Sequence, residues 1–163
     1  MTCSLASEPG TDLLHPLTEA TKTEGGWFIN GQKSFGTMSP AADLLEITCR
    51  VRDPRRGARL AQARVPRASA GLEIKNTWDA LGMRASGSHD VILTNCFIAD
   101  TALVDVGPWG TWTEGFIVGL LAMTMGLVGV FLGMAEAARD LIVEEAFEYI
   151  GKVTLGLDPT LEA

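Results

Sequence analysis

The chain lacks the features that mark a metal site, a disulfide-bonded secreted domain or a nucleic-acid-binding protein. Its three cysteines lie far apart and form no Cys-x-x-Cys or Cys/His pattern, so we expect no metal and reduced thiols in a cytoplasmic compartment. The net charge is −7, and the few clustered arginines alternate with Asp53. Because binding to phosphates needs a basic surface, nucleic acid is excluded as an expected partner. The first residues show no signal-peptide pattern.

Residues 1–105 consist of short apolar runs separated by turn signals. The clearest runs, 44–51 and 91–98, are rich in residues that favour strands. Asn30-Gly31 predicts a hairpin turn, because both residue types tolerate positive φ angles. Several short strands with a turn about every ten residues predict a small antiparallel β-barrel or sandwich.

Residues 106–163 have a helical pattern. We predict one long helix within 112–150 that ends near Gly151, followed by a loop at 157–159. Residues 116–135 carry no charge, and an uncharged helical segment of this length can span a bilayer. The flanking charges are mixed in sign and Trp109 and Trp112 lie at one end only, so we interpret the segment as a bundle helix rather than a membrane span. The predicted fold class is therefore α+β.

Three motifs in order carry a family resemblance. They are Ser-Glu-Pro-Gly at 7–10, Gly-Trp-Phe-Ile-Asn-Gly-Gln-Lys-Ser-Phe-Gly-Thr at 26–37, and Leu-Gly-Met-Arg-Ala-Ser-Gly-Ser at 81–88. In these segments the chain resembles the acyl-CoA dehydrogenase family. The resemblance implies a middle β-domain at 1–105 and the start of a C-terminal helical bundle at 106–163. It also implies that the chain is a fragment and is shorter than the usual family member.

The resemblance implies FAD as cofactor, with its ring against the β-domain. It assigns cofactor contacts to seven residues: Leu5, Ala6, Ser7, Thr11, Phe35, Gly36 and Thr37. Strand alternation would place Phe35 and Thr37 on one side, facing one ligand. The alternative interpretations are that Ser7 caps a turn, that Phe35 belongs to the core and that Thr37 is a turn residue.

Substrate contacts follow from the third motif and from an arginine-rich turn. The resemblance places Arg84, Ser86 and Ser88 near the flavin and an acyl pocket, the alternative being a tight turn before a strand. The phosphates of an acyl-CoA thioester need cationic partners, and candidates lie on the loop after 44–51: Arg52, Arg55 and Arg56. The alternative for that loop is a solvated turn. His15 is interpreted as structural and His89 as a surface turn residue.

The activity implied by the resemblance is α,β-dehydrogenation of acyl-CoA thioesters. Aligning the family on residues 132–135 brings Met123 or Thr124 to the place where some members carry a glutamate base. No catalytic residue is therefore assigned, and we expect the isolated chain to be inactive. Two alternatives remain: a flavin-dependent monooxygenase of the same fold, and a non-catalytic, membrane-anchored β-domain. Because 116–135 is apolar nearly all round, we also expect a homo-oligomer.

Overall fold

The structure, a computed structural model, describes residues 1–156, so the loop predicted at 157–159 lies outside it. The described chain divides into a first unit, Met1–Gly115, and a second that begins at Phe116. All strands belong to the first unit: β1 (Thr2–Leu5), β2 (Glu19–Thr23), β3 (Gly26–Gly36), β4 (Leu44–Asp53), β5 (Gly57–Pro66), β6 (Leu72–Lys75), β7 (His89–Ala99) and β8 (Leu103–Pro108). Single 3₁₀ turns lie at Ser39–Ala41, Arg84–Ser86 and Asp100–Ala102.

The strands form one mixed sheet in the order β6-β7-β3-β2-β4-β5-β8, with β1 paired to β4. The pairs β1–β4 and β2–β4 are parallel, whereas the other pairs are antiparallel. Parallel neighbours cannot be joined by a tight turn, and neither pair is consecutive along the chain. With the helix that follows, this architecture confirms the predicted α+β fold class.

A single core fills the first unit because several strands point alternate residues inward. In β4 the inward residues are Leu45, Ile47, Cys49 and Val51, and those of its partner β5 include Ala61, Ala63 and Val65. These side chains join buried residues of β1, β3 and β7 in one cluster. Each fully buried aliphatic side chain stabilises the fold by about 1.5–3 kcal/mol, so the core is the main source of stability.

The hairpin predicted at Asn30-Gly31 is wrong, because both residues lie inside β3. The turn between β2 and β3 is formed by Glu24 and Gly25 instead. Asn30 faces a β-bulge in β7, where Ile29 pairs with Cys96 and Gly31 with Leu93. The Asn30 side chain accepts a hydrogen bond from the Asn95 backbone N–H at 2.8 Å. Asparagine is common both in hairpin turns and beside β-bulges, so the residue type alone did not distinguish the two.

One long helix, α1 (Glu114–Thr154), follows the sheet, as the sequence predicts. It continues through Gly151, where we predicted its end, and at 1.5 Å per residue it is about 60 Å long. None of its side chains is buried. By length and composition alone it could cross a membrane.

Candidate functional site

Phe35 leaves the sheet at the end of β3 in a left-handed conformation, with φ of 56°. Phe35 is 65% exposed, and its ring lies 6.3 Å, centroid to centroid, from the ring of Trp78 in an edge-to-face arrangement. Gly36 follows, and a Cβ there would lie 2.8 Å from both Leu5 Cδ2 and the His89 carbonyl oxygen. The backbone therefore packs tightly at Gly36 while the preceding aromatic ring faces outward.

Thr37 lies in the turn after β3, not in the strand. The predicted strand alternation between Phe35 and Thr37 is therefore wrong, because the positive φ at Phe35 interrupts it. The Thr37 hydroxyl nevertheless lies 3.0 Å from Ser88 Oγ, which in turn lies 2.7 Å from Ser86 Oγ. A backbone bond from the Met38 N–H to the Ser86 carbonyl, 2.7 Å long, joins the same two segments.

Phe35 and Ser88 border a cleft of about 300 Å³. Its lining combines two aromatic rings, hydroxyl groups and two carboxylates: Ser34, Phe35, Thr77, Trp78, Asp79, Ala80, Ser88 and Asp90. We name it the Phe35–Trp78 cleft. The fold thus brings one predicted flavin residue, Phe35, and one predicted substrate residue, Ser88, into the same cavity. Thr37 and Ser86 are hydrogen-bonded to Ser88.

Trp78 is a residue that the sequence interpretation missed. Its backbone N–H donates to His89 Nδ1 at 3.0 Å, and its indole N–H donates to the Met83 carbonyl at 3.2 Å. His89 is the first residue of β7 and is partly buried, so its interpretation as a surface turn residue is wrong. The sequence signal that could have identified Trp78 is its position a few residues before the Gly-Met-Arg motif.

Arg84 does not line the Phe35–Trp78 cleft in the described part of the chain. Its guanidinium lies 3.1 Å from Asp79 Oδ1 and donates to the Ala80 carbonyl at 2.9 Å. Both charged side chains are more than two-thirds exposed, and exposed pairs of this kind contribute little to stability. Arg84 therefore fastens its own loop rather than presenting a free cation to a ligand.

The first predicted flavin segment runs beside the end of β3. Leu5 is buried against Gly36, and the Ser7 carbonyl accepts the Ser34 N–H at 3.0 Å. The Ala6 carbonyl accepts a hydrogen bond from Lys33 Nζ at 3.4 Å. The segments that carry Leu5–Ser7 and Phe35–Thr37 are thus adjacent, as the resemblance implies.

Thr11 lies in a separate turn. Its hydroxyl donates to the His15 carbonyl, and Asp12 accepts from the His15 ring at 2.8 Å. The hydrogen bond from the His15 ring, aided by one from the Leu14 N–H, lowers the pKa of the Asp12 carboxyl. Within the described residues Thr11 does not reach the Phe35–Trp78 cleft lining, so its predicted role at the flavin pyrophosphate stays a prediction.

Of the three arginines proposed for CoA phosphates, Arg52 and Arg56 are engaged elsewhere. For Arg55 the described residues show a hydrogen bond only from its backbone N–H, to Asp53 Oδ1 at 2.8 Å. Arg52 Nε lies 2.9 Å from Glu19, and Arg56 bridges Asp53 and Asp105 at 3.0 and 3.1 Å. A second cleft of about 280 Å³ lies beside this network, and its lining carries three aspartates and two arginines: Asp53, Asp100, Asp105, Arg56 and Arg59. Among residues 1–156 no group of three or more potential ligand side chains could hold a metal ion.

Comparison with known proteins decides the family. The model of "Acyl-CoA dehydrogenase, middle domain" matches residues 3–96. The chain belongs to the acyl-CoA dehydrogenase family. The family motifs and the α+β fold inferred from the sequence are thereby confirmed.

The chain is similar to a putative acyl-CoA dehydrogenase, to a nitrososynthase and to a protein solved with FMN. "Putative acyl-CoA dehydrogenase YdbM" of Bacillus subtilis (strain 168) is 38% identical over 82% of this chain and 33% of its own length. A nitrososynthase from Micromonospora carbonacea var. africana has a TM-score of 0.75 and 31% identity, covering 88% of this chain and 36% of its own. KijD3, solved with FMN and dTDP-3-amino-2,3,6-trideoxy-4-keto-3-methyl-D-glucose, has a TM-score of 0.72 and 28% identity, covering 88% and 34%. The chain spans about a third of each relative.

Proposed function

We propose that the chain is the flavin-binding part of an oxidoreductase and that the Phe35–Trp78 cleft receives the flavin ring. The observation that carries the proposal is the hydroxyl row of Thr37, Ser88 and Ser86 beside two aromatic rings. A flavin has a flat apolar face and a polar heteroatom edge, so it suits a site with both features. KijD3, a relative with the same fold, was solved with FMN.

The residues present fit a flavin. Phe35 and Trp78 offer aromatic contact, and Thr37 and Ser88 offer hydroxyl donors, while the absence of a side chain at Gly36 leaves the turn compact. A bound flavin supplies hydride or electron transfer. The role of the chain is to hold the ring, to orient its polar edge and to exclude water from one face.

We further propose that the reaction is an oxygenation of an amine-bearing small molecule rather than acyl-CoA dehydrogenation. The cleft lining carries two carboxylates and, within the described residues, no lysine or arginine. Asp90 forms no ion pair with any residue among 1–156, whereas Asp79 pairs with Arg84. Carboxylates attract an ammonium group, which an amino sugar offers and an acyl-CoA thioester does not. The nitrososynthase likeness and the amino-sugar complex of KijD3 support this choice.

Acyl-CoA dehydrogenation is the second candidate, favoured by the 38% identity to YdbM. Calorimetric titration of the FMN-supplemented chain separates the two. The probes are a dTDP-linked 3-amino sugar, its 3-hydroxy analogue and butyryl-CoA. We expect the amino sugar to bind at least fivefold more tightly than the hydroxy analogue, and Asp90→Asn to abolish the difference. Preferential binding of butyryl-CoA would support the second candidate instead.

A further inference from the structure

Two charged residues of the family motifs, Glu8 and Lys33, are buried together. The Lys33 side chain is 0% exposed and that of Glu8 is 2% exposed, and the two form an ion pair. Glu8 also accepts the backbone N–H groups of Leu17 at 2.6 Å and Thr18 at 3.1 Å. Its carboxylate therefore links three stretches of chain that are distant in sequence.

The pair lies between the two segments assigned to the flavin. Glu8 directly follows Ser7, and Lys33 is two residues before Phe35. Lys33 Nζ donates to the Ala6 carbonyl at 3.4 Å, and the Ser34 N–H donates to the Ser7 carbonyl at 3.0 Å. A shift of either charge would move one flavin segment relative to the other.

Stability alone does not account for this pair. Burial lowers the pKa of Lys33, although the hydrogen bond and charge of Glu8 oppose that shift. Removing two charges from water is so unfavourable that well-packed apolar residues of similar volume often serve a fold equally well. In some proteins a buried pair specifies one geometry among several, and the segments that this pair connects are Ala6–Ser7 and Ser34–Phe35.

We propose that Lys33 and Glu8 are positioning residues for the flavin: their ion pair holds the segment at 5–7 against the segment at 35–37 without touching the ligand. The inference rests on the proposed flavin function. Glu8 belongs to the first motif and Lys33 to the second, so the proposed positioning of the two segments requires both motifs.

Three variants test the inference: Lys33→Met, Glu8→Gln and the double variant. Each single variant leaves one buried charge without its partner, so we expect lower resistance to urea. The double variant removes both charges, and we expect it to recover most of that stability while binding FMN at least tenfold more weakly than the parent. Cys96→Ala is the control. It leaves a cavity in the core, and Cys96 forms no hydrogen bond or ion pair with Glu8 or Lys33 among the described residues. It should lose stability and keep the FMN affinity of the parent.

The outcomes are distinguishable. A double variant that binds FMN as tightly as the parent, or a Cys96→Ala chain weakened to the same degree, overturns the positioning role alone. A parent that binds neither FMN nor FAD overturns the proposed function and this inference with it. Hydrogen exchange of the parent gives a test without variants. FMN should slow exchange of the Leu17 and Thr18 amides that donate to Glu8, and unchanged exchange at both would contradict the inference.

Discussion

Thr37 Oγ1 lies 3.0 Å from Ser88 Oγ, although the two residues are 51 positions apart in the chain. The contact joins the second family motif to the third across the end of β3. Its consequence is that Ser88, which lines the same cavity as the Phe35 and Trp78 rings, is hydrogen-bonded to a hydroxyl group of another motif. The proposed flavin site is thus built by the tertiary fold and not by either motif alone.

Gly31→Ala should destabilise the fold. A Cβ at residue 31 would lie 2.7 Å from Thr18 Cα, which is backbone and cannot rotate away. Overpacking of this kind typically costs about 1–3 kcal/mol. We expect a loss of that size in the free energy of unfolding in urea. Gly82→Ala is the matched control, because no heavy atom lies within 4 Å of its added Cβ. Equal stability of the two variants would show that the contact at Gly31 is not constraining.

Alkaline pH should weaken the fold through Cys49. Burial raises the pKa of the Cys49 thiol from 9.0 to about 12. Above pH 9 the unfolded thiol loses its proton while the folded one keeps it, so stability is fully present below pH 9 and falls progressively towards pH 12. The groups whose charges act on the thiol are Lys33 and Glu8, and both remain in the variant described next.

Cys49→Ala isolates this effect. The parent should be the more stable chain at pH 8, because the substitution leaves a cavity. The difference in free energy of unfolding should shrink between pH 9 and 11, since only the parent carries the shifted thiol. Urea unfolding in the presence of a phosphine reductant measures both chains. A difference that stays constant across this range would contradict the burial of a protonated thiol.

The sequence predicted the class of fold and the presence of α1 because both depend on local patterns. Alternation in β4 and the uncharged run at 116–135 are visible in any window of about ten residues. The bulge at Asn95 was not predictable, because it depends on the pairing of β7 with a distant strand. The same is true of Thr37, whose position beside Ser88 results from the left-handed turn at Phe35.

The motifs led to Phe35 and Ser88, which the structure brings to one cleft, but they did not specify which other residues contact it or pair beside it. Trp78 lies outside the quoted segments and reaches the cleft only through its bonds to His89 and Met83. Glu8 and Lys33 lie within the motifs, yet nothing in their spacing indicates that they meet in the core. Pairing of buried charges is a property of the folded chain and requires its coordinates.

Helix α1 should promote self-association, which we propose as the origin of a homo-oligomer. Apart from Thr124, its side chains at 116–135 are apolar, and none is buried. Each Å² of apolar surface removed from water contributes roughly 25 cal/mol. Val128→Lys together with Phe131→Lys should shift the chain towards monomer in sedimentation velocity at micromolar concentration. Ala138→Lys, in the charged half of the helix, is the control and should leave association unchanged. A parent that sediments as a clean monomer would contradict the proposal.

Titration of FMN or FAD with the chain, followed by flavin fluorescence, shows whether the Phe35–Trp78 cleft binds flavin. We expect quenching by the parent, none by Phe35→Ala, and roughly five- to tenfold weaker binding by Thr37→Val, which loses one hydrogen bond worth about 1 kcal/mol. Phe28→Ala, which removes an aromatic ring outside the cleft lining, should bind like the parent. Equal binding by the parent, Phe35→Ala and Thr37→Val would contradict the assignment of the flavin to this cleft.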